Sequence, residues 1–235
     1  RVAYIGKVRD DQLGAVFRHD IRAQGVVFDT PAAVAGAATA RSMIVVTPDA
    51  QRTMNTYLGA CVGLSPADVD PALIAAAEIT YLEGYLWDAP GAKAAMRKAM
   101  DLAHKAGRQV ALTLSDSFCV ERFREEFLRL VEDDVDILFA NENEIRALYG
   151  THDFDESLQQ VRGRVRIAAL TRSARGSVIV ARDEMHVIDA HPVAKVVDTT
   201  GAGDLYAAGF LGGLTRGLDL GRSGRIAALC AAEVI

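Results

Sequence analysis

Asp198-Thr-Thr-Gly-Ala-Gly-Asp204 stands between an apolar run, Val193 to Val197, and a helical stretch, Leu205 to Arg216. A strand that turns through glycines into a helix is one step of an α/β sheet, and the chain upstream reads as repeats of that step. Val2 to Ile5 leads to the helical spacing of Leu13, Val16, Phe17 and Ile21 within Asp10 to Ala23. Ile79 to Leu82, Gln109 to Leu114, Asp136 to Ala140 and Arg166 to Leu170 are further strand-like runs, and the first three are followed by helical stretches at Ala89 to Ala106, Val120 to Glu132 and Asn141 to Tyr149. Two hairpins interrupt the alternation. One joins Ser42 to Thr47 with Thr53 to Leu58 through Pro48-Asp-Ala-Gln51, and the other joins Ser177 to Ala181 with Met185 to Ala190 about Arg182-Asp-Glu184. A last helix runs from Arg222 to Ile235. The pattern predicts one α/β domain over residues 1–235, with a mostly parallel central sheet, helices on both faces, and ligands at the C-terminal ends of the strands.

Composition narrows the class of partner. The chain has 235 residues, 50% hydrophobic and 24% charged, enough for one sizeable core. Its net charge of -5 leaves no positive surplus for a phosphate backbone or an anionic membrane, so neither nucleic acid nor a membrane is expected. The longest apolar stretch without charge, Thr53 to Ala67, carries Asn55, Thr56, Ser65 and Pro66 and is too short to span a bilayer. Cys61, Cys119 and Cys230 are odd in number and widely spaced, which fits reduced thiols and a cytoplasmic location. The first residue is Arg1 rather than Met, and the chain is expected to begin inside a longer protein.

The glycine motif carries the chemistry. Gly201, Ala202 and Gly203 leave backbone N–H groups open at a helix N-terminus, where small side chains let an anion approach and the dipole favours its charge. Asp204 ends the motif with a carboxylate. A pure phosphate cradle would avoid that charge, whereas an acid there makes sense as acceptor of a proton from an attacking hydroxyl. Cradle plus base points to phosphoryl transfer. A dinucleotide fingerprint would require Gly at the position of Tyr206, and no Walker A sequence is present.

Asp198 to Asp204 resembles the signature of the ribokinase-like (PfkB) carbohydrate and nucleoside kinases. The resemblance implies that Asp204 is the catalytic base and that the amides of Gly201, Ala202 and Gly203 stabilise the transferring phosphoryl group. Asn141-Glu-Asn-Glu144 is similar to the family's Asn-x-x-Glu segment, which lies beside Mg²⁺ and its water shell. Thr171-Arg-Ser-Ala-Arg-Gly176 stands where the family has Thr-x-Gly-x-x-Gly around the nucleotide, with Ser173 at a position usually held by Gly. Thr171, Ser173 and Gly176 are therefore implied nucleotide-binding residues.

Gln51-Arg52-Thr-Met-Asn-Thr-Tyr57 is similar to a segment of the adenosine kinase branch whose Arg reaches the transferring phosphate, which marks Arg52; the branch's Asn falls at Tyr57. Phe118 matches an aromatic placed against the purine, and Tyr85 and Leu86 match a Phe-Phe pair, although a core would employ the same residues. The implied function is ATP-dependent transfer of the γ-phosphoryl group to a primary hydroxyl of an adenosine-like nucleoside or a sugar. A general sugar kinase and a non-catalytic nucleotide- or sugar-binding protein are the alternatives. ATP and Mg²⁺ are the implied cofactors, with a monovalent cation as an optional third, and the protein is expected as a monomer or homodimer. The family's first strand, bearing an Asp for substrate hydroxyls, has no counterpart after Arg1. Residues of about 39–58 remain from the strand lid.

Overall fold

Asp11 opens the first helix by accepting a hydrogen bond from Gly14 N at 2.8 Å, and the same carboxylate holds Thr39 through its backbone N and its hydroxyl. In the computed structural model, which describes residues 1–235, the chain divides into two units: residues 1–45, 52–80 and 86–108, and residues 46–51, 81–85 and 109–235.

The first unit contains α1 (Gln12–Ala23), β1 (Arg41–Val46) up to residue 45, β2 (Arg52–Tyr57), α2 (Pro71–Ala76) and α3 (Pro90–Lys105). Phe28 is fully buried and meets Tyr4 and Phe17 edge-on, at ring-centroid distances of 5.2 and 5.8 Å. Along α3 the buried positions are Ala92, Ala95, Met96, Ala99, Met100 and Ala103, a stripe at three- and four-residue spacing that defines its inward face. β1 and β2 pair with each other as a two-stranded sheet, and every residue in both is exposed. The Val2 to Ile5 run makes only a single parallel bridge, Ala3 to Val27, rather than a strand.

In the second unit lie β3 (Ile79–Glu83) from Tyr81 onward, β4 (Gln109–Thr113), α4 (Ser117–Arg122), α5 (Arg124–Asp133), β5 (Ile137–Asn141), α6 (Glu142–Tyr149), α7 (Phe154–Val161), β6 (Ile167–Thr171), β7 (Ser177–Ala181), β8 (Met185–Ile188), α8 (Ala202–Leu214) and α9 (Leu220–Glu233). The six strands form one sheet in the order β3-β4-β5-β6-β7-β8. β4, β5 and β6 run parallel, whereas β7 and β8 turn antiparallel, so the sheet is mixed. Val110, Ala111, Ile137, Leu138, Ala168 and Ala169 are all at most 1% exposed, as expected of strands covered on both faces. Phe210 of α8 packs edge-on against Phe139 of β5 at 5.7 Å. α9 lies tight against α8, where a Cβ on Gly209 would come within 2.9 Å of Ala227 Cα.

Several boundaries differ from the sequence reading. The Val120 to Glu132 helix is two helices, because Phe123 leaves the helical region at φ −122° and ψ 27°. Val193 to Val197 is not a strand: it bends at Ala194, Val197 N donates to Ile235 O at 3.0 Å, and the sheet ends at β8. α2 and α7 are short helices that the apolar periodicity does not mark. α2 is a six-residue helix opened by the cap Asp70 with Pro71 at its first position.

Candidate active site

The Asp198 to Asp204 segment folds into a preformed helix start. Asp198 accepts from Thr200 N at 2.9 Å and Thr200 Oγ1 at 2.7 Å, closing a local turn. Gly201 then takes φ 84°, a left-handed conformation that a side chain would strain, and caps α8 with no side-chain acceptor. Ala202 N reaches Thr199 O at 3.3 Å, while the N–H groups of Gly203 and Asp204 have no acceptor in the chain. A Cβ built on Gly203 would meet nothing within 4 Å. Open donors, open space and the positive end of a 13-residue helix coincide, a fit for a phosphate group.

Asp204 is exposed at the third position of α8, and Tyr206, two residues on, is buried and turned into the unit. Helical geometry separates the two side chains by about 200°, so the anchor and the carboxylate face opposite ways. Across from Asp204 stands a residue that sequence reasoning passed over. Glu83, at the C-terminal end of β3, accepts from Ser115 Oγ at 3.5 Å, and its carboxyl is held above the usual range by burial and then by the negative charge of Asp204. Burial raises the Tyr81 phenol too, with Glu83 and Asp204 adding to it. No sequence signal marks Glu83, because its role depends on what α8 brings near.

Asn141 and Glu144 form a reciprocal capping box. Asn141 Oδ1 accepts from the N–H groups of Asn143 and Glu144, each at 2.9 Å, while Glu144 accepts from Asn141 N at 2.9 Å and Nδ2 at 2.5 Å. Burial pushes the Glu144 carboxyl up to about 7, against the lowering effect of the Asn141 N–H. No cluster of three or more His, Cys, Asp or Glu side chains builds a metal cage. One buried carboxylate at a strand end fits Mg²⁺ that arrives with a phosphate chain and keeps its waters, rather than an ion held by protein alone.

The register Asn141 to Thr171 sets the next loop directly beside this box. Ser173 adopts φ 52°, the left-handed conformation for which Gly is usual, so its backbone follows the glycine path despite the side chain. Gly176, at φ 76°, closes the turn as Arg172 N donates to its carbonyl at 2.7 Å.

Phe118 and Tyr85 are not core residues: they are 71% and 59% exposed. Asp116 caps α4 through Phe118 N at 2.7 Å and so fixes the aromatic at the helix start. Tyr85 follows β3 and Phe118 follows β4, whose ends touch: a Cβ on Gly84 would lie 2.6 Å from Leu114 O. The second unit thus carries Gly201, Ala202, Gly203, Asp204, Asn141, Glu144, Thr171, Ser173, Gly176, Phe118 and Tyr85. Arg52, exposed at the start of β2, and Leu86, half-buried, belong to the first unit.

The chain is 54% identical to the adenosine kinase of Sinorhizobium meliloti, whose crystal structure matches 98% of this chain and 71% of its own at a TM-score of 0.96. A Rhizobium etli CFN 42 protein described as a probable sugar kinase is 52% identical, with 99% and 71% coverage and a TM-score of 0.97. The fold alone is shared with a ribokinase II-type protein of E. coli in complex with ATP and Mg²⁺, 20% identical over 98% of this chain and 75% of that one, with a TM-score of 0.89. Curated relatives named nucleoside kinase and fructokinase are 24–32% identical, and the chain spans as little as 37% of their length. The family model of the pfkB carbohydrate kinases matches residues 1–235, and the chain belongs to that family.

Proposed function

We propose that this chain forms the α/β catalytic domain of an ATP-dependent kinase that phosphorylates a primary hydroxyl, with an adenosine-like nucleoside as acceptor in preference to a free sugar. The observation that carries the reading is the exposed Asp204 carboxylate beside the open amides of Gly203 and Asp204. Asp204 accepts the proton of the acceptor hydroxyl as the oxygen forms its bond to the γ-phosphorus. The amides at the start of α8 receive the negative charge on the phosphoryl oxygens, and the bond to the leaving ADP breaks. Mg²⁺ supplies charge neutralisation on the phosphates when bound, with Glu144 and Asn141 orienting its waters.

Exposure of Phe118 and Tyr85 favours a nucleobase, since a flat apolar face left in solvent is one that a purine can cover. The three free cysteines fit a cytoplasmic protein. Asp204→Asn in the full-length protein tests the mechanism in an ADP-release assay. Turnover should fall about 100-fold or more, with ATP affinity preserved. Near-full turnover would remove Asp204 from the role of base, and no turnover by the unmodified protein on any nucleoside or sugar would favour a binding protein on this fold.

A further inference from the structure

Three guanidinium groups meet one carboxylate where β5 and β6 end. Glu142, the first residue of α6, is buried, and its carboxylate is ion-paired with Arg146 one turn along the helix, with Arg175, and with Arg172 Nε at 3.5 Å. Three positive charges against one negative leave a local charge of +2. A structural tie needs no such excess, because one carboxylate has two oxygens and each guanidinium brings five N–H donors. The Nε atoms of Arg146 and Arg172 are buried with no hydrogen-bond partner. Arg172 also lies over the Phe154 ring at 4.1 Å, which fixes its plane. The Arg175 side chain is 61% exposed even while paired with Glu142. Next to this cluster are the strained Ser173 and the N-terminus of α6, a second source of positive potential.

We propose that Arg172 and Arg175 grip the phosphate chain of the nucleotide, with Glu142, itself paired to Arg146, holding the two forks ready, so that affinity depends on the number of phosphates. The inference rests on the kinase reading above and assigns its nucleotide side. Planar forks suit adjacent phosphate oxygens, and the local excess of charge suits a polyanion and not a neutral ligand. Arg172 immediately precedes the left-handed Ser173, and Arg175 immediately precedes Gly176, so both forks project from one tight turn.

Calorimetric titration of the full-length protein with ATP, ADP and AMP, for the unmodified chain and for Arg175→Gln and Arg172→Gln, tests this. Each variant should weaken ATP and ADP roughly tenfold while changing AMP less than about twofold, and should flatten the dependence of ATP affinity on salt. Arg175 is exposed enough that its variant should fold even if Arg172→Gln does not, and it then decides the matter alone. Unchanged ATP and ADP affinities, with only a lowered melting temperature, would overturn the assignment and leave the arginines as a tie between the loop and α6. Failure of the unmodified protein to bind ATP or ADP would instead overturn the kinase reading, and this proposal with it.

Discussion

The hydroxyl of Tyr206 donates to Ser177 Oγ at 2.7 Å inside the second unit, tying α8 to the first residue of β7 two positions beyond Asp204. Both side chains are buried, at 4% and 1% exposure, so neither has water as a substitute partner. Tyr206→Phe should lower stability by about 1–2 kcal/mol, and adding Ser177→Ala should cost less than it does alone. Urea titrations of the four proteins of the cycle measure the coupling. Strict additivity would show that the bond contributes nothing of its own.

Glu83 predicts a pH dependence. Its folded carboxyl is raised above the ordinary value, first by burial and then by Asp204, so the folded chain holds that proton more tightly than the unfolded chain. The associated stability is fully present below the unfolded value of about 4.3 and is lost as pH rises through the folded one. Glu83→Gln mimics the protonated form. It should therefore gain stability over the unmodified protein as pH rises above about 4.5, and the gain should shrink in an Asp204→Asn background. Denaturation curves from pH 4.5 to 8 report the difference, and a constant gap across that range would refute it.

Gly176→Ala should be strongly destabilising. The position has φ 76°, and a Cβ there would sit 2.0 Å from Ile188 O, a backbone atom that cannot step aside without shifting β8. A loss of roughly 3 kcal/mol or more is expected, against about 1 kcal/mol for a left-handed glycine in open space such as Gly217. Thermal melts of Gly176→Ala and Gly217→Ala side by side check both.

Phe118→Ala should separate the substrate classes. The ring is 71% exposed, so its loss removes little packing and should leave the melting temperature nearly unchanged. Stacking on one base face contributes roughly 1–3 kcal/mol, so kcat/KM for adenosine should fall about tenfold or more while that for ribose or fructose holds. Equal losses on nucleosides and sugars, or a free sugar preferred over every nucleoside, would leave a general sugar kinase.

The amino-acid order determined the elements whose cause is local. Alternation of apolar runs with helical spacing specified an α/β sheet, and Asp11 and Asn141 opened their helices through caps that need only three residues of neighbouring chain. The Asp198 to Asp204 segment likewise carries its own geometry, because a glycine stands at Gly201, the one position of the segment that takes the left-handed turn.

Tertiary structure decided what depends on a distant neighbour. Val193 to Val197 has the composition of a strand but no ladder beside it, and a strand exists only where another supplies its hydrogen bonds. Phe118 and Tyr85 are as apolar as core rings, and only packing left them in solvent. Glu83 and Asp204 are more than a hundred residues apart in the chain, and Arg172 and Arg175 reach Glu142 only because β5 and β6 lie in register. A carboxylate's neighbours set its charge, and those neighbours are fixed by the fold rather than by adjacency in sequence.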